Sequence, residues 1–83
     1  MYGTIINVSK PKGIAAVFTG IGYSILKLPT PANIEIGDLI EFQDEIKLGS
    51  CCVRNKTKRD SISIIVQEYN ISSSQMREQF LIS

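Results

Sequence analysis

Histidine and tryptophan are absent from the 83 residues. The first absence removes the commonest general base and the commonest metal ligand. Serine–histidine and cysteine–histidine couples are therefore excluded within the chain. Cys51 and Cys52 are the two cysteines, so a four-cysteine zinc site is excluded as well. Neighbours on a strand point to opposite faces, which places this pair poorly for bridging each other. A secreted disulfide framework wants more cysteines, set further apart. The expectation is reduced thiols in a cytoplasmic protein, with at least one packed as a small apolar residue. No apolar stretch follows a basic start in the manner of a secretory signal. None approaches the ~20 residues of a membrane span, so no membrane partner is expected. Gly20-Ile21-Gly22 lacks the rest of a phosphate-loop pattern, and no cofactor is implied. Asp44 and Glu45 diverge if they lie on a strand, while Asp38 and Glu41 read as solvent-facing turn residues. Taken together, these features argue against an enzyme.

Charge is as sparse as chemistry. The formal net charge is +1, well short of the basic excess of a dedicated duplex binder. Its distribution is more informative. Glu35, Asp38, Glu41, Asp44 and Glu45 form an acidic stretch, and Arg54, Lys56, Lys58 and Arg59 form a basic one. The basic stretch reads either as a solvated turn or as a lip that steers phosphates.

What the chain does have is β-pattern. At 83 residues there is room for a single domain with one modest core. Tyr2–Val8 is rich in β-branched residues, and Ser9-Lys10-Pro11-Lys12-Gly13 breaks it with proline and glycine. Ile14–Thr19 and Tyr23–Leu28 read as the next strands, divided by a Gly20–Gly22 turn, and the three form an antiparallel meander. Pro29–Glu35 is an irregular connection. A glycine turn at Ile36-Gly37 launches a fourth strand with Ile40 and Phe42 on one face. Gly49-Ser50 is expected to turn the chain into a fifth strand, Cys51–Lys56. After a polar turn at Lys58-Arg59-Asp60 comes a strand over Ile62–Tyr69, with Ile62, Ile64 and Val66 sharing a face. Ser72-Ser73-Ser74-Gln75 matches a capping box, and Met76 and Phe80 then lie one helical turn apart. The predicted fold is all-β: a small OB-like antiparallel barrel of five or six strands with a short C-terminal helix.

The opening residues also resemble a known family. Gly3-Thr4-Ile5-Ile6-Asn7-Val8-Ser9, then Lys10-Pro11, then Lys12-Gly13-Ile14-Ala15-Ala16-Val17 is similar in spacing to the first hairpin of cold-shock domains. Gly37-Asp38-Leu39-Ile40-Glu41-Phe42 resembles a later strand of the same family. The resemblance covers roughly residues 3–55 and makes residues 58–83 an extra strand and helix. It implies an OB-fold that binds single-stranded RNA or DNA by stacking bases on aromatic side chains. Here the tryptophan position is Asn7 and the phenylalanine positions are Ile14 and Ala16. Stacking is worth roughly 1–3 kcal/mol per base, so these losses weaken the affinity by orders of magnitude.

Two functions remain open from the sequence. One is weak single-stranded nucleic-acid binding through Lys10, Lys12, Phe18, Tyr23, Lys27, Arg54, Lys56, Lys58 and Arg59. The other is a protein-interaction or assembly module, with a protein partner or a homodimer as the options, using an apolar face around Ile14 and Ala16. That face is to be covered either by the C-terminal helix or by a partner. A different small β family, such as an SH3-like one, would account for the strand pattern without the resemblance.

Overall fold

Alternation of side chains along a strand places one face of each strand of this chain inward, and the outer face of Ile14–Phe18 and Tyr23–Lys27 is largely buried as well. The computed structural model describes residues 1–29 and 33–81. It contains β1 (Tyr2–Ser9), β2 (Ile14–Phe18), β3 (Tyr23–Lys27), β4 (Leu39–Phe42), β5 (Gly49–Asn55) and β6 (Asp60–Ile71), followed by the helix α1 (Ser73–Leu81). The strands close into a barrel in the order β1-β2-β3-β6-β5-β4, every neighbouring pair antiparallel. β4 returns to lie beside β1, outside the β1–β3 meander, which is a Greek-key arrangement. The protein is thus a small all-β barrel of the expected OB-like kind, with six strands and one short helix. Among the described residues, no helix is long and apolar enough to cross a membrane.

The interior is filled by Ile5, Ala15, Val17, Leu26, Leu28, Ile34, Ile40, Phe42, Val53, Ile62, Ile64 and Val66. Gly3 is buried because β2 passes close: a Cβ there would lie 2.5 Å from Val17 Cγ2 and 3.1 Å from the Phe18 carbonyl. Gly13, at φ +67, closes the β1–β2 turn in the left-handed conformation that a glycine adopts without strain. The register shifts between Ile5 and Asn7, a bulge on β1. Ile6, the neighbour of inward-facing Ile5, packs in a second cluster, outside the barrel, with Ile14, Ala16, Ile25 and Met76.

Three sequence expectations are corrected. Gly49 and Ser50 do not turn the chain; they open β5 and pair with Val66 and Ile65. Both partners lie within the expected Ile62–Tyr69 strand, so β5 begins earlier than its sequence suggests and the bend falls within residues 43–48. The next turn is Lys56–Arg59, and Asp60 already belongs to β6, opposite Asn55. Asp38 is not solvent-facing but 3% exposed. The irregular connection expected over Pro29–Glu35 lies in part, at residues 30–32, outside the described residues. β6 is also integral to the barrel, since it pairs with both β3 and β5.

The capping box forms as the sequence indicates. Gln75 N–H donates to Ser72 Oγ at 3.1 Å, and Ser72 N–H donates to Gln75 Oε1 at 3.0 Å. α1 lies on the outer face of the first meander. Met76 is buried there, and Phe80 packs beside it together with Tyr23 and Ile71. Cys51 leans against the interior cluster while Cys52 faces outward, as strand alternation requires.

Candidate nucleic-acid interface

The β5–β6 turn is basic, and its shape is fixed from beneath. Lys58 folds back under it: its Nζ donates to Asp38 at 2.8 and 3.0 Å and lies 2.8 Å from Glu35 Oε1. Asn55, fully buried, donates through Nδ2 to Asp38 Oδ2 at 2.8 Å and accepts from the Lys58 N–H at 3.1 Å. The Glu35 N–H supplies a further donor to Asp38 at 3.0 Å. Burial by itself pushes the Asp38 carboxyl up. The hydrogen bonds from Lys58, Asn55 and the Glu35 amide outweigh it and hold the group below its usual value. The carboxylates in turn raise the Lys58 ammonium above its own. Backbone contacts complete the anchoring. Lys56 N–H donates to the Leu39 carbonyl at 2.8 Å, and Leu39 N–H donates to Thr57 Oγ1 at 2.9 Å.

With Lys58 turned inward, the other cations of the turn project outward. Arg54, Lys56 and Arg59 line an open cavity of about 430 Å³ together with Asp60 and Ser61. Arg59 sits at φ +57, a left-handed position that closes the turn. Lys56 lies 3.9 Å from Glu41, a long and half-exposed pair that contributes little. Among the described residues, Arg54 and Arg59 make no ion pair. A second cavity, of about 330 Å³, lies between β4 and β5, where Asp44 and Glu45 give it the wrong sign for phosphate.

The remaining sequence-derived candidates fall elsewhere. Lys10 is exposed in the β1–β2 turn. Lys12 Nζ donates to the Gln79 carbonyl near the C-terminal end of α1 at 2.8 Å, where a cation suits the helix dipole. Lys27 Nζ donates to the Lys12 carbonyl at 3.2 Å. Phe18 and Tyr23 sit at the opposite end of β2 and β3, their ring centroids 5.0 Å apart and tilted by 45°. Phe18 is 41% exposed, so it is not a core residue. The lysines and the ring pair are thus separated by the length of β2, roughly 13 Å for five residues.

Ile14 and Ala16 are covered. They are 7% and 0% exposed beneath Met76 and Phe80, so the chain's own helix provides the cover that the sequence left open between helix and partner. While α1 is docked, they offer no surface to another protein. Burial, assisted by adjacent Cys52, pushes the Cys51 thiol up, which keeps it protonated and a poor nucleophile.

Sequence reasoning overlooked Asp38, Asn55 and Glu35, which hold the basic turn in shape. An asparagine inside Arg54-Asn55-Lys56-Thr57-Lys58 was the available signal, since its side chain organises turns. No family model matches this chain, and neither a curated protein nor a solved structure matches it.

Proposed function

We propose that this barrel is a small non-catalytic binding module for single-stranded RNA or DNA that grips the sugar–phosphate backbone. The observation that carries the reading is the convergence of Arg54, Lys56 and Arg59 on one open cavity above a turn held rigid by Asp38. Two arginines, Arg54 and Arg59, that make no ion pair among the described residues present planar donor forks suited to phosphate oxygens. The rings Phe18 and Tyr23 lie on other strands, so phosphate contact outweighs base stacking. Binding of this kind is weak and sequence-tolerant, with dissociation constants of roughly 10⁻⁴–10⁻⁶ M. The unbridged Cys51 and Cys52 suit a reducing compartment such as the cytoplasm.

The test is fluorescence anisotropy of a labelled single-stranded oligonucleotide over a salt series. Three phosphate contacts give a log–log salt slope of about −2. Arg54→Ala with Arg59→Ala removes two of them and brings the slope to about −0.7. No binding at low salt, or a slope indifferent to both substitutions, overturns the reading.

A further inference from the structure

The basic cavity continues toward β4. Arg54 and Ser61 line it, and both also line a second open cavity, of about 360 Å³. The ladder register explains the sharing. Glu41 pairs with Arg54 and Arg54 with Ser61, so three outward side chains stand in one row across β4, β5 and β6. Neighbouring strands lie about 4.8 Å apart, and the row spans roughly 10 Å. Cys52, two residues before Arg54 on the same face of β5, extends the wall of the second cavity. Gln43 and Met1 complete it from the side of β4.

The two cavities differ in chemistry. The first gathers Arg54, Lys56 and Arg59. Among the described residues lining the second, Arg54 is the only basic side chain, and the Glu41 carboxylate stands beside it in the row. A second phosphate is disfavoured there by like charge. An uncharged group is favoured, because Met1 offers an apolar wall while Glu41 and Gln43 offer acceptors at the rim. Glu41 is 34% exposed, with Lys56 at 3.9 Å, so its carboxylate keeps free acceptor capacity. An ionised carboxylate accepts and does not donate, which rewards the exocyclic amine of cytosine, adenine or guanine over the carbonyl-rich edge of thymine or uracil.

We propose that the second cavity is a base subsite: it takes one nucleobase bearing an exocyclic amine, which donates to the Glu41 carboxylate, while the Arg54 guanidinium holds the adjoining phosphate. The inference rests on the nucleic-acid reading and adds a mild preference among bases to an otherwise sequence-tolerant grip. It places that base contact on β4 and β5, beside the phosphate contacts and away from the Phe18–Tyr23 rings.

Cys52 reports on the subsite, because it is exposed and lines the second cavity but not the basic one. In a Cys51→Ser chain, its reaction with N-ethylmaleimide is timed with oligo-dC or with an abasic strand of equal length, each near saturation by anisotropy. Oligo-dC is expected to slow the reaction several-fold, and the abasic strand to leave it near the free rate. On the unsubstituted chain, oligo-dC is expected to bind about fivefold more tightly than oligo-dT at equal length and salt, the lower end for a base contact, and Glu41→Gln to level the two. Oligo-dC that binds while Cys52 reacts at the free rate overturns the base subsite and leaves the backbone reading standing. Equal protection by the abasic strand, or equal affinity for the two homopolymers, does the same. Absence of binding at low salt overturns both.

Discussion

Truncating Met76 to alanine tests whether α1 is an appendage of the barrel or part of its cooperative core. The side chain is 5% exposed, between Ile14, Ala16 and Ile25. Full burial of a methionine is worth about 1.5–3 kcal/mol, and a half-buried Phe80 adds about 1 kcal/mol. The two polar contacts, each with one charged partner and both only partly buried, contribute on the order of 1–2 kcal/mol each. Ordering the nine-residue helix offsets much of this, because a helix so short does not hold its shape unsupported. Docking is therefore worth only a few kcal/mol, and that sum caps the loss. Met76→Ala is expected to cost about 2 kcal/mol, less than the upper end of about 5 kcal/mol for an enclosed core site, because the helix can leave instead of spanning a cavity. The assay is residue-resolved amide exchange alongside urea unfolding. A loss of 2 kcal/mol raises the opening constant of the α1 amides about 30-fold while those of β2 and β3 stay protected. Equal loss of protection in α1, β2 and β3 would refute the reasoning, since it would show helix and barrel opening as one unit.

Two further perturbations address the barrel itself. Asp38 has a folded-state value below its usual 3.8, so its contribution is complete above that value and fades as pH falls through the lowered one. Lys58→Met leaves the burial of Asp38 opposed only by Asn55 and the Glu35 amide, and the acid loss of stability moves to higher pH; urea midpoints against pH check this, and superimposable profiles for the two proteins would contradict it. Gly3→Ala forces a methyl to within 2.5 Å of Val17 Cγ2 with the Phe18 carbonyl at 3.1 Å, an overpacking of about 1–3 kcal/mol. A fall of about 5 °C or more in the thermal midpoint is expected, and an unchanged midpoint would show that β1 and β2 separate freely.

The strands were legible wherever local alternation decides them. Ile40 and Phe42, and then Ile62, Ile64 and Val66, face inward as their spacing indicates. The capping box at Ser72 and the Met76–Phe80 contact side of α1 were legible for the same reason, because their partners lie within four residues. The candidate site was less so. Lys58 reads as one more cation of a basic run, yet its role is decided by Asp38, 20 residues away. Lys12 reads as a phosphate contact, yet its ammonium is engaged by a carbonyl 67 residues on. Gly49-Ser50 carries turn chemistry, but Val66 and Ile65 in the middle of β6 offer it a ladder of partners instead. Composition and periodicity report on near neighbours, and these assignments depend on which distant segment closure brings alongside.

Barrel closure also dictates the order in which the molecule can assemble. β1 must find β4, pairing Tyr2 with Glu41, and β3 must find β6, pairing Tyr23 with Ile71. Such distant pairings tie up a large chain entropy before they return any contact energy, which sets folding on the milliseconds-to-seconds scale typical of small β-barrels. The first meander can form early from adjacent hairpins, but β3 and β5 keep open edges until residues beyond 60 arrive. On a translating ribosome, that half-built sheet waits for its last strand.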